Sequence, residues 1–205
     1  MKNVFGLFTV ISFLLLVLTT VVFALEEGEE SAFLVKTRIG GGEIVTTASA
    51  QILVDRIGNE FRLGEYFTSE DARGASIIYR PVQTPELTLT AGLGTDYQKY
   101  SRIHDEDWLI RGTLSAEGQI SNVEYSARVD QFKGKLPHGQ AITFDGYVAV
   151  PYGEKYLIGL SSEKTKYESP STGPMFGCKF ENGGLLQIAI HPGQNVGFTY
   201  TIKNF

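Results

Sequence analysis

The chain has 205 residues, a formal net charge of −5 at pH 7 and an isoelectric point near 5.3. This length suits one domain, and the acidic balance argues against nucleic acid as a partner. Cys178 is the only cysteine, so no disulfide can form within the chain. With 23 Gly, 13 Phe and 10 Tyr, the composition favours a β-protein over a helical one.

The first 24 residues have the pattern of a signal peptide. Lys2 supplies a positive charge, residues 4–23 are almost wholly apolar, and Ala24 is a small residue at the predicted cleavage point. The alternative is a membrane anchor, because the apolar run is long enough to span a bilayer. Cleavage after Ala24 would leave an acidic, disordered lead-in at 25–30, followed by the main domain at 31–205.

From residue 31 onward the apolar residues recur with a period of two, which is the period of a β-strand. Glycine, asparagine and proline lie between these runs, as expected for turns. The pattern predicts twelve antiparallel strands, with ten as the alternative count. The predicted strands are 31–39, 43–56, 59–67, 74–81, 86–98, 107–117, 121–132, 141–151, 155–163, 174–180, 184–190 and 195–205.

The predicted connections alternate between short and long. The short ones are 57–58, 82–85, 118–120, 152–154 and 182–183. The long ones, rich in charged residues, serine and proline, are 68–73, 99–106, 133–140 and 164–173. Short turns at one end and longer loops at the other are typical of an up-and-down β-barrel.

The alternation alone does not decide which face of the barrel points outward. A soluble barrel or sandwich buries its apolar face, whereas a membrane barrel turns that face to lipid and keeps a polar interior. The signal peptide, the loop asymmetry and a group of aromatic residues near strand ends favour the membrane barrel. These aromatic residues are Tyr66, Phe67, Tyr79, Tyr97, Trp108, Phe132, Tyr152, Tyr156 and Phe176.

The last predicted strand, 195–205, has apolar residues at even positions from Val196 to Ile202 and ends at Phe205. It resembles the C-terminal strand of bacterial outer-membrane β-barrel proteins, which usually ends in Phe and is read by the assembly machinery. Phe205 is one residue out of phase with the apolar face, and a bulge at 203–204 would restore the phase. The resemblance is to this broad Gram-negative class. It implies an outer-membrane location, with the lipid bilayer and the assembly machinery as partners.

With the apolar face outward, the other face of each strand lines a lumen. The candidate lumen residues are Arg62, Arg80, Arg111, Glu124, Arg128, Asp130, Asp145 and Lys179. One hypothesis is a narrow passive channel for small anionic solutes, because rings of Arg and Lys bias a pore toward anions. In size and charge layout the chain is also similar to small porins for acidic sugars. The alternatives are a closed structural or surface-interaction barrel with a salt-bridged lumen, and a soluble secreted ligand-binding barrel.

The sequence carries no recognisable catalytic or metal-binding motif. His104, His138 and His191 lie in predicted loops without metal-ligand spacing, and no G-x-S-x-G motif is present. Cys178 alternates with Phe176 on the apolar face, so it is predicted to be a small hydrophobic residue. We therefore expect a protein that is not an enzyme and needs no metal or other cofactor.

Overall fold

The computed structural model describes nine segments of the chain: residues 31–40, 43–57, 60–69, 72–100, 105–134, 140–164, 169–181, 183–191 and 195–204. The predicted signal peptide and acidic lead-in, and the terminal Phe205, lie outside the described residues. Within these segments, no helix is long and apolar enough to cross a membrane.

The described residues form twelve β-strands, as predicted. In chain order they are β1 Ser31–Gly40, β2 Glu43–Ile57, β3 Glu60–Ser69, β4 Ala72–Gln83, β5 Thr88–Tyr100, β6 Asp105–Ile120, β7 Val123–Lys133, β8 Gln140–Tyr152, β9 Tyr156–Lys164, β10 Ser171–Lys179, β11 Gly184–His191 and β12 Asn195–Asn204. Strands of about ten residues are long enough to cross a bilayer at a tilt.

The strands close into an antiparallel up-and-down barrel. Each strand pairs with its neighbour in the chain, and β1 pairs with β12. The β1–β12 register runs without interruption from the Ser31–Asn204 pair to the Gly40–Asn195 pair, so β12 has no bulge at 203–204. Closure leaves no sheet edge, and a sheet in lipid needs this because an unpaired backbone group there has no water to bind.

The two ends of the barrel differ less than the sequence suggested. The terminal end, where β1 begins and β12 ends, has connections 58–59, 84–87, 121–122, 153–155 and 180–183. The opposite end, here called the loop end, has connections 41–42, 70–71, 101–104, 134–139, 165–170 and 192–194. The loops are shorter than predicted because β4, β5, β6 and β10 continue past their predicted boundaries.

The barrel is apolar outside and charged inside. Ile77 and Leu114 are 71% and 66% exposed, whereas Glu65 and Arg111 are 2% and 4% exposed. A soluble barrel would show the opposite distribution, because it would bury its large apolar side chains. The outer face is therefore suited to lipid, as in a membrane barrel.

Aromatic side chains lie at both ends of the outer face. Near the loop end, the rings of Tyr97 and Trp108 are 5.5 Å apart, and the Arg73 guanidinium carbon lies 5.1 Å from the Tyr97 ring centre. Near the terminal end, the rings of Tyr156 and Phe176 are 5.6 Å apart. Amphipathic rings at these two levels suit the two membrane–water interfaces.

Phe132 differs from the predicted aromatic set because it points inward. It packs with Leu109 and Ala141 in a buried cluster near the loop end. Phe132 shares the even-numbered face of β7 with Arg128 and Asp130, so the alternation of the strand turns it into the barrel. The interior is thus polar in its middle and partly apolar toward this end.

Candidate functional site

Glu65 on β3 lies at the centre of the polar interior. Its carboxylate accepts hydrogen bonds from Arg128 Nη1 at 2.8 Å and Arg128 Nη2 at 3.1 Å. Ser76 Oγ donates to it at 3.0 Å, and Arg111 Nη2 lies 3.1 Å away. Since β3 and β7 are four strands apart, the contact between Glu65 and Arg128 crosses the lumen.

Both arginines also contact a second carboxylate. Arg111 Nε lies 3.2 Å from Asp96 Oδ1, and Arg128 Nε donates to Asp130 Oδ2 at 2.9 Å. We call Glu65, Asp96, Arg111, Arg128 and Asp130 the central ion-pair network. Arg128 has two carboxylate partners, and Arg111 has three, since its Nη1 also lies 3.9 Å from Asp130 Oδ1. The buried charges are therefore paired, and the pairing holds the geometry of the network.

Arg80 extends this polar region toward the terminal end. Its Nη2 donates to Gln51 Oε1 at 3.2 Å, and its Nη1 donates to Gln83 Oε1 at 3.3 Å. Gln51 Nε2 in turn donates to Glu65 Oε1 at 3.3 Å. Connected polar side chains therefore occupy the middle of the lumen on the side formed by β2 to β7.

A second set of ion pairs crosses the other side of the lumen. Lys36 Nζ on β1 lies 2.5 Å from Asp145 Oδ2 on β8 and 3.2 Å from Glu163 Oε1 on β9. We call these three residues the Lys36 bridge. Around that side of the barrel, β10, β11 and β12 separate β1 from β9, so the bridge spans the lumen as a chord. Nearer the terminal end, Lys179 on β10 pairs with Glu124 on β7.

A cavity of about 400 Å³ follows the inner wall of β8 to β12. Its lining includes Gly184 and His191, the first and last residues of β11, so it extends along the whole of that strand. Much of the remaining wall consists of small or polar side chains, including Ser161, Gln187 and Thr199. A second cavity of about 130 Å³ shares Arg128, among other residues, with the first.

Seven of the eight candidate residues from the sequence have side chains in the lumen. Arg111, Arg128 and Asp130 belong to the central ion-pair network, and Arg80 lies beside it. Asp145 belongs to the Lys36 bridge, and Glu124 pairs with Lys179. His191, expected in a solvated loop, instead ends β11, is buried, and has Nδ1 3.2 Å from the carbonyl oxygen of Ser171.

Arg62 is the exception, because its side chain lies on the outer face. Its Nη1 is 3.5 Å from Asp55 Oδ2, and both side chains are about half exposed. The inner face of β3 carries Leu63 and Glu65 instead. Leu63 packs inside the barrel against Ile78, so the two faces of β3 are exchanged relative to the prediction that Arg62 lines the lumen.

Sequence reasoning also missed several acidic lumen residues. Glu65 was missed because the two faces of β3 were exchanged. Asp96 continues the polar face that Thr88 and Thr90 begin on β5, so following that alternation to the end of the strand would have found it. Glu117 and Glu163 could have been found in the same way on β6 and β9.

The lumen does not contain a metal site among the described residues. No group of three or more His, Cys, Asp and Glu side chains there is arranged to hold a metal ion. The acidic side chains pair instead with arginine or lysine, as in the central ion-pair network and the Lys36 bridge.

A closed barrel with an apolar outer face, aromatic residues at both ends and a charged lumen is a transmembrane β-barrel of the bacterial outer membrane. No family model matches the sequence, and no curated protein does either. Among solved structures the chain is similar to the KdgM porin, with a TM-score of 0.52 and 11% identity over 84% of this chain and 98% of that one.

The KdgM porin in complex with disordered oligogalacturonate gives the same values, and the NanC porin gives a TM-score of 0.48 with 10% identity over 83% of this chain and 98% of that one. At these identities the comparison concerns the fold. The chain thus has the fold of an outer-membrane porin, and its predicted location in the outer membrane is confirmed.

Proposed function

We propose that the protein is a narrow passive channel for small polar solutes in the outer membrane. The observation that supports this most directly is the cavity along β11, whose lining extends from Gly184 at the terminal end to His191 at the loop end. Its wall combines hydroxyl, amide and charged groups with apolar side chains such as Met175 and Leu185. The polar groups can replace part of the hydration of a passing solute. The KdgM porin, described in complex with an oligogalacturonate, is an example of this fold with a polar solute.

The anion preference expected from the arginines has little support in the charge of the lumen. Arg111 and Arg128 are both paired with carboxylates, so neither presents a free positive charge. The acidic lumen side chains described are Glu65, Asp96, Glu117, Glu124, Asp130, Asp145 and Glu163. The basic ones are Lys36, Arg80, Arg111, Arg128 and Lys179. We therefore propose selection mainly by size.

The second candidate is a closed barrel with a structural or surface-interaction role. Two features favour it: the central ion-pair network and the Lys36 bridge both cross the lumen. If these ion pairs block the path completely, the barrel conducts no ions, and its charged interior serves to fix its shape.

Planar-bilayer recordings of the refolded protein separate the two candidates. A channel gives discrete current steps, and its reversal potential in a KCl gradient reports the ion preference. A closed barrel gives no current steps, although it still changes gel mobility on heating, as folded membrane barrels do. Absence of current from protein that passes this folding control would therefore reject the channel and support the closed barrel.

We further propose that residues 1–24 are removed on export and that the C-terminal strand ending in Phe205 is read by the assembly machinery. Both proposals come from the sequence pattern. N-terminal sequencing of protein isolated from outer membranes should then begin at Leu25. A sequence beginning at Met1 would instead indicate the membrane-anchor alternative. Deleting Phe205 should lower the amount of folded barrel in that fraction, and an unchanged amount would argue against recognition of this residue.

A further inference from the structure

The cavity along β11 has one apolar wall. Four of its lining residues belong to one hydrophobic cluster inside the barrel, in which Leu157 on β9 lies behind them: Tyr147, Met175, Leu185 and Ala189. We call these four residues the apolar patch. Apolar side chains hold water only weakly, so an apolar group that displaces this water gains contact with the patch at little cost. The patch therefore favours a solute that carries an apolar group of its own.

Charged groups of both signs line the same cavity. Among its described lining residues, three are basic and three are acidic: Lys36, Arg128, Lys179, Glu117, Asp145 and Glu163. Their formal charges cancel, although the described lumen as a whole carries more acidic than basic groups. A solute with a net charge meets as many like charges as opposite ones here, whereas a zwitterion finds an opposite charge for each of its own groups. The charges therefore favour a solute that carries both signs.

Gln187 provides a hydrogen-bond donor that no described residue uses. It lies between Leu185 and Ala189 on the inner face of β11 and lines the cavity. Its Nε2 atom is buried and has no acceptor among the residues that the structure describes. A buried donor without an acceptor is unfavourable, and the last torsion of a glutamine side chain is soft enough to turn the amide toward the cavity. An oxygen acceptor on a solute, such as a carboxylate, would satisfy this donor.

We propose that the cavity is a binding site for small amphiphilic zwitterions, such as an amino acid with an apolar side chain. The apolar group of the solute packs against the apolar patch, and its carboxylate accepts a hydrogen bond from Gln187. Its ammonium group faces acidic lining residues such as Asp145, whose side chain is 52% exposed. The inference rests on the proposed function, because only a site within the channel selects what passes.

The size of the cavity suits one such solute. Its volume of about 400 Å³ lies toward the lower end of the range for small-molecule pockets, about 300–1,000 Å³. A few polar groups on a largely apolar wall are also the usual composition of such pockets, because the apolar wall supplies affinity and the polar groups fix the orientation.

Methionine and glutamine are the probes, because they separate recognition of an apolar group from selection by size. Both are zwitterions with side chains of similar length, and one has a thioether where the other has an amide. Saturation-transfer NMR with the barrel in nanodiscs, and with empty nanodiscs as the blank, measures how tightly each binds. We expect methionine to bind about fourfold more tightly than glutamine, the effect of burying roughly one methylene-sized group. Equal binding would reject the apolar patch as a recognition surface.

Two variants of nearly unchanged side-chain size remove the apolar character of the patch. Leu185→Asn is the milder change because Leu185 is partly buried, whereas Met175→Gln alters a side chain that is only 3% exposed. In each variant that still shows the heat-dependent gel shift of a folded barrel, methionine and glutamine should bind equally. A preference for methionine that persists in folded Leu185→Asn and folded Met175→Gln would overturn the assignment of the patch.

Gln187→Glu tests the contact with the solute carboxylate. It replaces the donor with a carboxylate of the same length, so both probes should bind about tenfold more weakly while the preference for methionine remains. Gln119→Glu is the matched control, because it makes the same change at an exposed position near the terminal end, where Gln119 Nε2 donates to the carbonyl oxygen of Ser121. Equal binding by the two variants would reject the contact with Gln187.

Single-channel recordings in KCl then test whether the bound solute lies in the path. Methionine has no net charge and carries no current, so its presence in the path lowers the ion current. We expect methionine to halve the current at about one quarter of the concentration at which glutamine does so. Binding of methionine without any effect on the current would place the site outside the path and reject its role in selection.

The outcomes distinguish a failure of the site from a failure of the channel. If the unaltered protein conducts but binds neither probe, or binds both equally, the site is rejected and the channel stands. If it binds methionine preferentially but gives no current, the binding site stands within a closed barrel and the channel is rejected. If folded protein neither conducts nor binds, both are rejected.

Discussion

Replacing Glu65 with glutamine should destabilise the barrel more than any single change on its outer face. The glutamate accepts hydrogen bonds from Arg128 and Ser76 and lies 3.1 Å from Arg111, all in the interior of the barrel. Glutamine keeps the size of the side chain but removes its charge. Its amide group also places a donor where the arginines themselves donate.

The size of the destabilisation depends on the contacts that the two arginines keep in Glu65→Gln. Removing one partner of a buried ion pair costs about 3–5 kcal/mol, because the other charge is left buried without compensation. Here Arg128 retains Asp130 at 2.9 Å and Arg111 retains Asp96 at 3.2 Å, so neither arginine loses all its partners. The glutamine oxygen also remains an acceptor. We therefore expect a loss near the lower limit, about 3 kcal/mol in the free energy of unfolding.

Trp108 provides the assay. It is the only tryptophan, and its side chain lies on the outer face, where 63% of it is exposed to the lipid or its interface. Its fluorescence should change when the barrel leaves phospholipid vesicles on urea unfolding. Arg62→Ala is the control, because its exposed ion pair with Asp55 at 3.5 Å should contribute at most about 1 kcal/mol.

The result that would refute this reasoning is equal unfolding free energies for Glu65→Gln and Arg62→Ala. It would mean that water reaches Glu65 and hydrates the arginines when the carboxylate is lost. A larger loss, well beyond about 5 kcal/mol, would instead indicate that the whole central ion-pair network depends on Glu65.

Three further predictions use the same unfolding and vesicle assays. In Gly173→Ala a Cβ would lie 1.8 Å from the carbonyl oxygen of Ile190, so we expect the free energy of unfolding to fall by about 1–3 kcal/mol. Gly112→Ala is the control and should be neutral, because no atom lies within 4 Å of its Cβ. Equal stability of the two variants would contradict the packing of β10 against β11. The fluorescence of Trp108 should be quenched most by lipids brominated near the headgroup, because Trp108 is expected at the membrane–water interface. Maximal quenching by lipids brominated at the chain ends would place Trp108 near the bilayer centre and contradict this. Lys179→Met should cost about 1 kcal/mol or less, because the Lys179 side chain is 41% exposed, and a loss equal to that of Glu65→Gln would contradict this.

Much of the fold was predictable because a β-barrel is encoded locally. Alternation along each strand, as from Trp108 to Leu114 on β6, reports which residues share a face. Turn residues between the runs mark the strand ends, so the strand count of twelve was correct. The signal peptide and the role of Phe205 stay predictions, since both lie outside the described residues.

The site was predictable only in part, because alternation does not say which face is inside. On β7 the polar face carries Arg128 and Asp130, and it points inward as expected for a membrane barrel. On β3 the inner face also carries Leu63, which is apolar. The rule that the polar face of each strand points inward therefore assigned Arg62 to the lumen and missed Glu65. Polarity alone does not identify the inner face of a strand where the barrel interior is partly apolar.

The sequence by itself determined the strands, their order and the class of the barrel, because these depend on neighbouring residues and on a period of two. Only the tertiary structure decided which charges meet. Glu65 and Arg128 are 63 positions apart, and Lys36 and Asp145 are 109 apart, yet closure of the barrel brings each pair together across the lumen. Such contacts depend on the circumference and register of the closed sheet, which no local pattern specifies.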